Sequence, residues 1–223
     1  MAAVSSALEA TELYRFYHAG DDETLALRGV SLRVEAGEMI AVRGPSGSGK
    51  STLLACLAGL DEPDGGMVRI EGQAMSRRPE VDRARLRAGR VGVLFQSANL
   101  LEHLTVSENV GVAQRLAGRA DRDQLARLLG SLALTTRARA HPSQLSSGET
   151  ARAGLAVALA NRPAVVLADE PTGELDTANA DRVVDLLAAC ARDGSAVVIV
   201  THNDAVANRA DRTVALMDGR IAT

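Results

Sequence analysis

Apolar positions along this chain change their spacing several times, and each change marks a change of element. Strand-like runs come first: Leu13–Tyr17, Leu27–Val34 and Met39–Val42, with Ala36-Gly37-Glu38 as a turn between the last two. Residues 1–10 carry small side chains without period and read as a loose leader. A glycine-rich loop follows Val42, then a helical pattern from Lys50 through Ala58, stopped by Gly59 and the Asp61–Gly66 cluster. Met67–Glu71 predicts a strand, Val81–Ala88 a charged helix and Val91–Phe95 a buried strand. From about 99 to 147 the period is helical, strongest over Val106–Ala117 and Asp121–Leu134. Strand and helix then alternate: helix Gly148–Ala160, strand Ala164–Ala168, helix Thr177–Ala191, strand Ala196–Val200, and a last strand Thr213–Met217. Strands separated by helices imply an α/β fold with a mostly parallel sheet covered on both faces. Residues 1–223 form one domain in this reading, with an antiparallel β region near the N-terminus and an inserted helical subdomain over about 99–147.

Composition narrows the class. Hydrophobic residues make up 46% of the 223 and charged residues 24%, as in globular proteins that bury a core. The net charge of −3 is too small to mark a nucleic-acid binder, and the four Tyr and Phe residues are too few for a base-stacking platform. No apolar run reaches the roughly 18 residues a bilayer requires, and Met1–Ser6 lacks the basic-then-apolar order of a secretion signal. Cys56 and Cys190 lie far apart in apolar helical patterns and read as buried free thiols, so a cytosolic setting is expected.

Two segments carry chemistry. Gly44-Pro45-Ser46-Gly47-Ser48-Gly49-Lys50-Ser51 has the spacing G-x-x-x-x-G-K-[ST] between a strand and a helix. The glycines let backbone N–H groups turn inward around a polyphosphate, and the helix presents its positive end to the same anion. Lys50 would neutralise the β- and γ-phosphates and Ser51 would ligate Mg²⁺. This places the chain among phosphate-loop NTPases. The second segment is the apolar run Val165–Ala168, which ends in Asp169-Glu170. Alone, two acids ending a strand are compatible with plain solvent exposure. At the carboxyl edge of a nucleotide-binding sheet, Asp169 is placed to hold Mg²⁺ through its water shell, and Glu170 to polarise the water that attacks the γ-phosphate.

Further motifs in the same chain order resemble the ABC ATPase family. Gln96 matches its Q-loop glutamine, Leu145-Ser146-Ser147-Gly148-Glu149 its signature motif, Leu175-Asp176 its D-loop and His202 its switch histidine, while Tyr17 sits where the family stacks an aromatic on adenine. The resemblance spans about residues 11–223. It implies that Tyr17, Gly44, Ser46, Gly47, Ser48, Gly49, Lys50, Ser51, Thr52 and Gln96 hold ATP from one chain, and Ser146, Gly148, Glu149 and Asp176 from a second. It also implies Mg²⁺ bound by Ser51, Gln96 and Asp169, with Glu170, His202 and Lys50 catalytic. A helix start at Ser146–Gly148 with no phosphate loop of its own to serve fits a head-to-tail sandwich of two copies closed over two ATPs. Ser147, Glu149, Thr150-Ala151 and Gly173-Glu174 depart from the commoner family pattern.

Segments such as Phe95–Leu101, Leu104–Val110 and Glu170–Asp176 resemble the branch that serves lipoprotein release and macrolide export. That branch implies a separate integral membrane permease as partner, a peripheral position on the inner face of the cell membrane, and a docking groove in the 99–147 region. The substrate and the direction of movement are not implied. The competing class is a soluble ABC ATPase acting on nucleic acid or ribosomes. Its usual coiled coils, zinc modules or paired ATPase domains are not seen in this sequence. A signalling subunit that drives a membrane regulator without transport is a third class.

Overall fold

The computed structural model describes residues 6–19, 22–97 and 99–222. Two sheets organise the chain. The first is antiparallel, in the order β2 (Asp22–Glu35), β1 (Ser6–Ala19), β4 (Gly65–Ile70), β5 (Gln73–Ala74). The second has the order β10 (Arg220–Ile221), β9 (Arg212–Met217), β3 (Met39–Arg43), β8 (Ala196–Val200), β7 (Val165–Asp169), β6 (Val91–Leu94). Its strands are parallel except the short antiparallel edge β10.

Residues 6–10, expected in a loose leader, begin β1. Leu8 is paired with both Val34 and Ile70 and is fully buried, so tertiary pairing overrides the weak local pattern of small residues. Residues 1–5 of that expected leader lie outside the described residues.

The central strands bury both faces, and successive residues feed two cores. Val165 and Leu167 of β7, with Val198 and Val200 of β8, pack toward the antiparallel sheet and α1 (Lys50–Leu57). Val166, Ala168, Val197 and Ile199 point the other way. There they meet α3 (Val106–Leu116), α4 (Arg122–Ser131), α5 (Ser147–Leu159) and α6 (Thr177–Arg192). In α1, Leu53, Leu54 and Leu57 are buried, each a stabilisation of about 1.5–3 kcal/mol. Burial pushes the Cys56 thiol up to about 12 and that of Cys190 to about 11, so both stay protonated, and neither is in a disulfide.

The helical stretch follows the sequence reading with one shortening. α4 stops at Ser131 because Ala133 turns left-handed (φ 55), and a 3₁₀ turn over Thr135–Arg137 takes over. α2 (Glu80–Arg90) precedes β6, and a four-residue helix α7 (Asp204–Ala207) follows β8. No helix among the described residues is long and apolar enough to cross a membrane.

Candidate nucleotide site

The parallel register brings the carboxyl ends of β3, β8, β7 and β6 side by side. Each delivers one piece of chemistry: the Gly44–Gly49 loop after β3, His202 after β8, Asp169-Glu170 at the end of β7 and Gln96 after β6. α1 starts at Lys50 with no side-chain cap, so its first N–H groups remain available to an anion. The cap residue Gly49 is left-handed (φ 99), and a Cβ there would sit 2.4 Å from the Ala26 carbonyl oxygen.

Lys50 folds back on its own loop. Its Nζ donates to the carbonyl oxygens of Gly44 (2.9 Å) and Pro45 (2.8 Å). Ser51 Oγ donates to Asp169 Oδ2 at 3.2 Å. Burial, together with the nearby charge of Glu170, raises the Asp169 carboxyl above its ordinary value. An all-oxygen donor set of hydroxyl and carboxylate suits a hard ion such as Mg²⁺. Tyr17, Ser46, Gly47, Gly49, Lys50 and Thr52 line a cavity of about 380 Å³ over the loop.

Glu170 takes a left-handed backbone (φ 44), with its N–H donating to the Val200 carbonyl at 2.9 Å. Its carboxylate accepts from the His202 backbone N–H (3.1 Å) and the Thr201 hydroxyl (3.3 Å), and it lies 2.8 Å from His202 Nδ1. Its side chain is only 15% exposed, whereas that of His202 is 77% exposed. The imidazole is therefore free to turn outward while the carboxylate is held. Gln96 lines a second cavity of about 370 Å³ with Glu170, Ser147 and Leu175.

The signature segment is built as a helix start. Ser146 caps α5, its hydroxyl accepting from the Glu149 N–H (3.3 Å) while Glu149 accepts from the Ser146 N–H (2.9 Å). That hydrogen bond, and Arg137 Nε at 2.7 Å, hold the Glu149 carboxyl below the ordinary range. Gly148 is buried against Asn179, where a Cβ would meet the side-chain amide at 2.4 Å. Asp176 caps α6 and accepts from the Asn179 N–H (2.9 Å) and Nδ2 (2.7 Å), bonds that depress its carboxyl as well. Ser146, Gly148, Glu149 and Asp176 do not line the cavity over the phosphate loop. The fold thus gathers Lys50, Ser51 and Asp169, and separately Glu170, His202 and Gln96 with Leu145 and Ser147 of the signature beside them, and leaves Ser146, Gly148, Glu149 and Asp176 out of both cavities. Thr201, Asn179, Arg15 and Asp61 engage these residues without standing out in the sequence.

A family model described as ABC transporter matches residues 27–173. The chain belongs to the ABC transporter family. It is an ATP-binding subunit of that family, an ATPase with ATP and Mg²⁺ as its cofactors. It is 42% identical over 221 residues to the lipoprotein-releasing system ATP-binding protein LolD of Zymomonas mobilis, covering 97% of this chain and 95% of that one. LolD 2 of Caulobacter vibrioides is 44% identical over 213 residues, covering 94% and 93%. The macrolide export ATP-binding/permease protein MacB of Escherichia coli K12 is 42% identical over 217 residues. That match covers 96% of this chain but 34% of MacB. Among solved structures, the dimeric ABC transporter cassette MJ0796 superposes with a TM-score of 0.89 at 33% identity, covering 97% of each chain. Its dimeric post-hydrolysis form bound to ADP and Pi matches with the same TM-score at 32% identity. The resemblance drawn from the motifs, and the mostly parallel α/β fold drawn from the pattern, are those of this family.

Proposed function

We propose that this ABC ATPase works as a head-to-tail homodimer closing over two ATPs, beneath a separate permease and on the inner face of the cell membrane. In this reading each phosphate-loop cavity receives the signature segment of the other copy. The N–H groups at the start of α5 complete the γ-phosphate contacts, and Asp176 lies at the seam. Ser51 and Asp169 hold Mg²⁺, with Gln96 completing the set from the adjoining cavity. Lys50 leaves its two carbonyl partners for the β- and γ-phosphates. Tyr17 stacks on adenine. Glu170 orients the attacking water, and His202, released from Glu170, reaches the γ-phosphate. ATP binding then favours the closed pair and hydrolysis the open one, and the difference in affinity between the two shapes is what drives the partner.

The observation that carries the membrane assignment is an exposed apolar groove of about 660 Å³ between α2 and α3. Leu60, Val81, Phe95 and Leu116 line it at 47%, 61%, 45% and 73% exposure. Side chains of this size left in water cost about 1.5–3 kcal/mol each relative to burial, which favours a helix of the permease as occupant. The groove is only partly in the 99–147 stretch expected to carry docking, since α2 and Phe95 form one wall. Phe95, beside Gln96, puts that wall next to the cavity that holds Glu170, a short path between docking and hydrolysis. LolD and MacB, by their names, act in lipoprotein release and macrolide export; a task of that kind, or transmission of force across the membrane, is the one proposed here.

The test is capture from native membranes by Glu170→Gln trapped with ATP and Mg²⁺. A multi-span membrane protein should be enriched over the Lys50→Ala control. It should be lost when Val81→Glu and Leu116→Glu are added, with the melting temperature unchanged. Recovery of ribosomal or DNA-bound proteins with no membrane protein would replace the partner assignment.

A further inference from the structure

Tyr17 projects from β1, a setting in which a 40% exposed ring would ordinarily move among rotamers. Here it is held. Arg15 lies two residues earlier, on the same face of the strand, and its guanidinium stacks over the Tyr17 ring at 4.8 Å from the centroid. The Tyr17 hydroxyl donates to Asp61 Oδ2 at 2.7 Å. The same carboxylate takes two bonds from Arg15, Nε to Oδ2 and Nη2 to Oδ1, both 2.8 Å. Asp64 closes the far side, accepting from Arg15 Nη1 (3.0 Å) and from the Phe16 N–H (2.8 Å). Both acids sit in the turn after α1, the helix that begins at Lys50, so the network ties the ring to the element that carries the phosphate loop. Burial and the Asp61 bond push the Tyr17 phenol up, which keeps it a donor.

We propose that Arg15 and Asp61 are positioning residues that clamp Tyr17 as a pre-oriented platform for the purine base. The guanidinium covers one face of the ring, leaving the other to the base, and Asp61 fixes the angle at which that face meets the cavity. Without the clamp, binding would have to order the ring at the moment the base arrives, at a cost in affinity. The clamp rests on the reading of Tyr17 as the adenine platform, and it adds the residues that make the platform rigid.

The experiment uses the full chain, with Mg²⁺-ATP and Mg²⁺-tripolyphosphate as probes in calorimetric titrations. Tripolyphosphate reports the phosphate loop alone. Arg15→Ala and Asp61→Asn should each weaken ATP by about three- to tenfold while leaving tripolyphosphate unchanged. Tyr17→Ala should weaken ATP by at least about fivefold, again without effect on tripolyphosphate. In the Tyr17→Ala background, Arg15→Ala should add nothing further. Arg15 variants that weaken both probes equally, or that add their full effect in the Tyr17→Ala background, would show a scaffold role and overturn the clamp. If Tyr17→Ala weakens ATP and Arg15→Ala does not, the clamp fails alone; if Tyr17→Ala leaves ATP unchanged, the platform fails first.

Discussion

Asn161, just past α5, offers a quantitative test of how the groove walls are joined. Its Nδ2 donates to the carbonyls of Ala88 in α2 (3.0 Å) and Ala113 in α3 (2.9 Å), and the residue is 9% exposed. One amide therefore bridges the two helices that form the groove. Its Oδ1 is buried without a partner. Asn161→Ala removes two bonds, each a net contribution of about 1 kcal/mol, and leaves the carbonyl of the half-buried Ala88 without its side-chain donor at an added cost of about 1–3 kcal/mol. Removal of the orphaned Oδ1 offsets about 1 kcal/mol of this. The net loss should be about 2–4 kcal/mol, or roughly 4–16 °C in melting temperature for a domain of this size. Asn161→Asp should be worse by at least about 2 kcal/mol at neutral pH, because a carboxylate would face two carbonyl oxygens. Such a carboxyl has its folded value raised above the ordinary value of about 3.9. The folded state then takes up a proton before the unfolded one does, so the deficit of Asn161→Asp should narrow as pH falls from neutral toward that value. Urea unfolding followed by circular dichroism at pH 7.5 and 5.5 measures all three proteins. A loss below about 0.5 kcal/mol for Asn161→Ala, or an Asn161→Asp deficit that does not narrow in acid, would refute the bridge.

The remaining expectations concern the nucleotide site. Asp169→Asn should raise the melting temperature of the nucleotide-free protein at neutral pH while abolishing the Mg²⁺ dependence of ATP binding. Since the Asp169 carboxyl is raised, the stability gap to the variant should close as pH falls through the carboxylate range; a variant no more stable than the parent would contradict this. Gly49→Ala should lose ATP binding, because its Cβ is driven into the Ala26 carbonyl, and a normal calorimetric affinity would show that the loop tolerates the strain. Ser147→Gly should leave turnover unchanged or raise it, since Ser147 is exposed and Ser146 makes the cap; a large loss in a phosphate-release assay would give Ser147 a role of its own.

The elements legible in the sequence carry local signals. The phosphate loop is a contiguous run between a strand and a helix, and β7 is an apolar run ending in two acids. Both survive because parallel strands buried on two faces leave little ambiguity in period. The residues that escaped notice act across distance. Asp61 reaches Tyr17, 44 positions away, and Asn161 reaches Ala88 across 73. Nothing in a turn-rich cluster or a helix end marks those partners. Residues 6–10 look like a leader because small side chains carry no strand signal, yet Leu8 is held from both sides by β2 and β4. The two-residue strands β5 and β10 follow tight turns at Gly72 and Gly219, both left-handed, and are too short to show a period. Docking was expected in the 99–147 region; the groove proposed for it has α2 as its other wall, which reads in the sequence simply as a charged surface helix.

In the proposed dimer one chain holds half of each ATP site and a second copy completes it. Sedimentation of Glu170→Gln with ATP and Mg²⁺ checks this arrangement, with Lys50→Ala and nucleotide-free protein alongside. The expected result is a monomer that becomes a dimer only in Glu170→Gln with ATP, and that reverts when Ser146 and Glu149 are both changed to Ala. A Glu170→Gln protein that binds ATP by calorimetry yet stays monomeric at saturating nucleotide would contradict it.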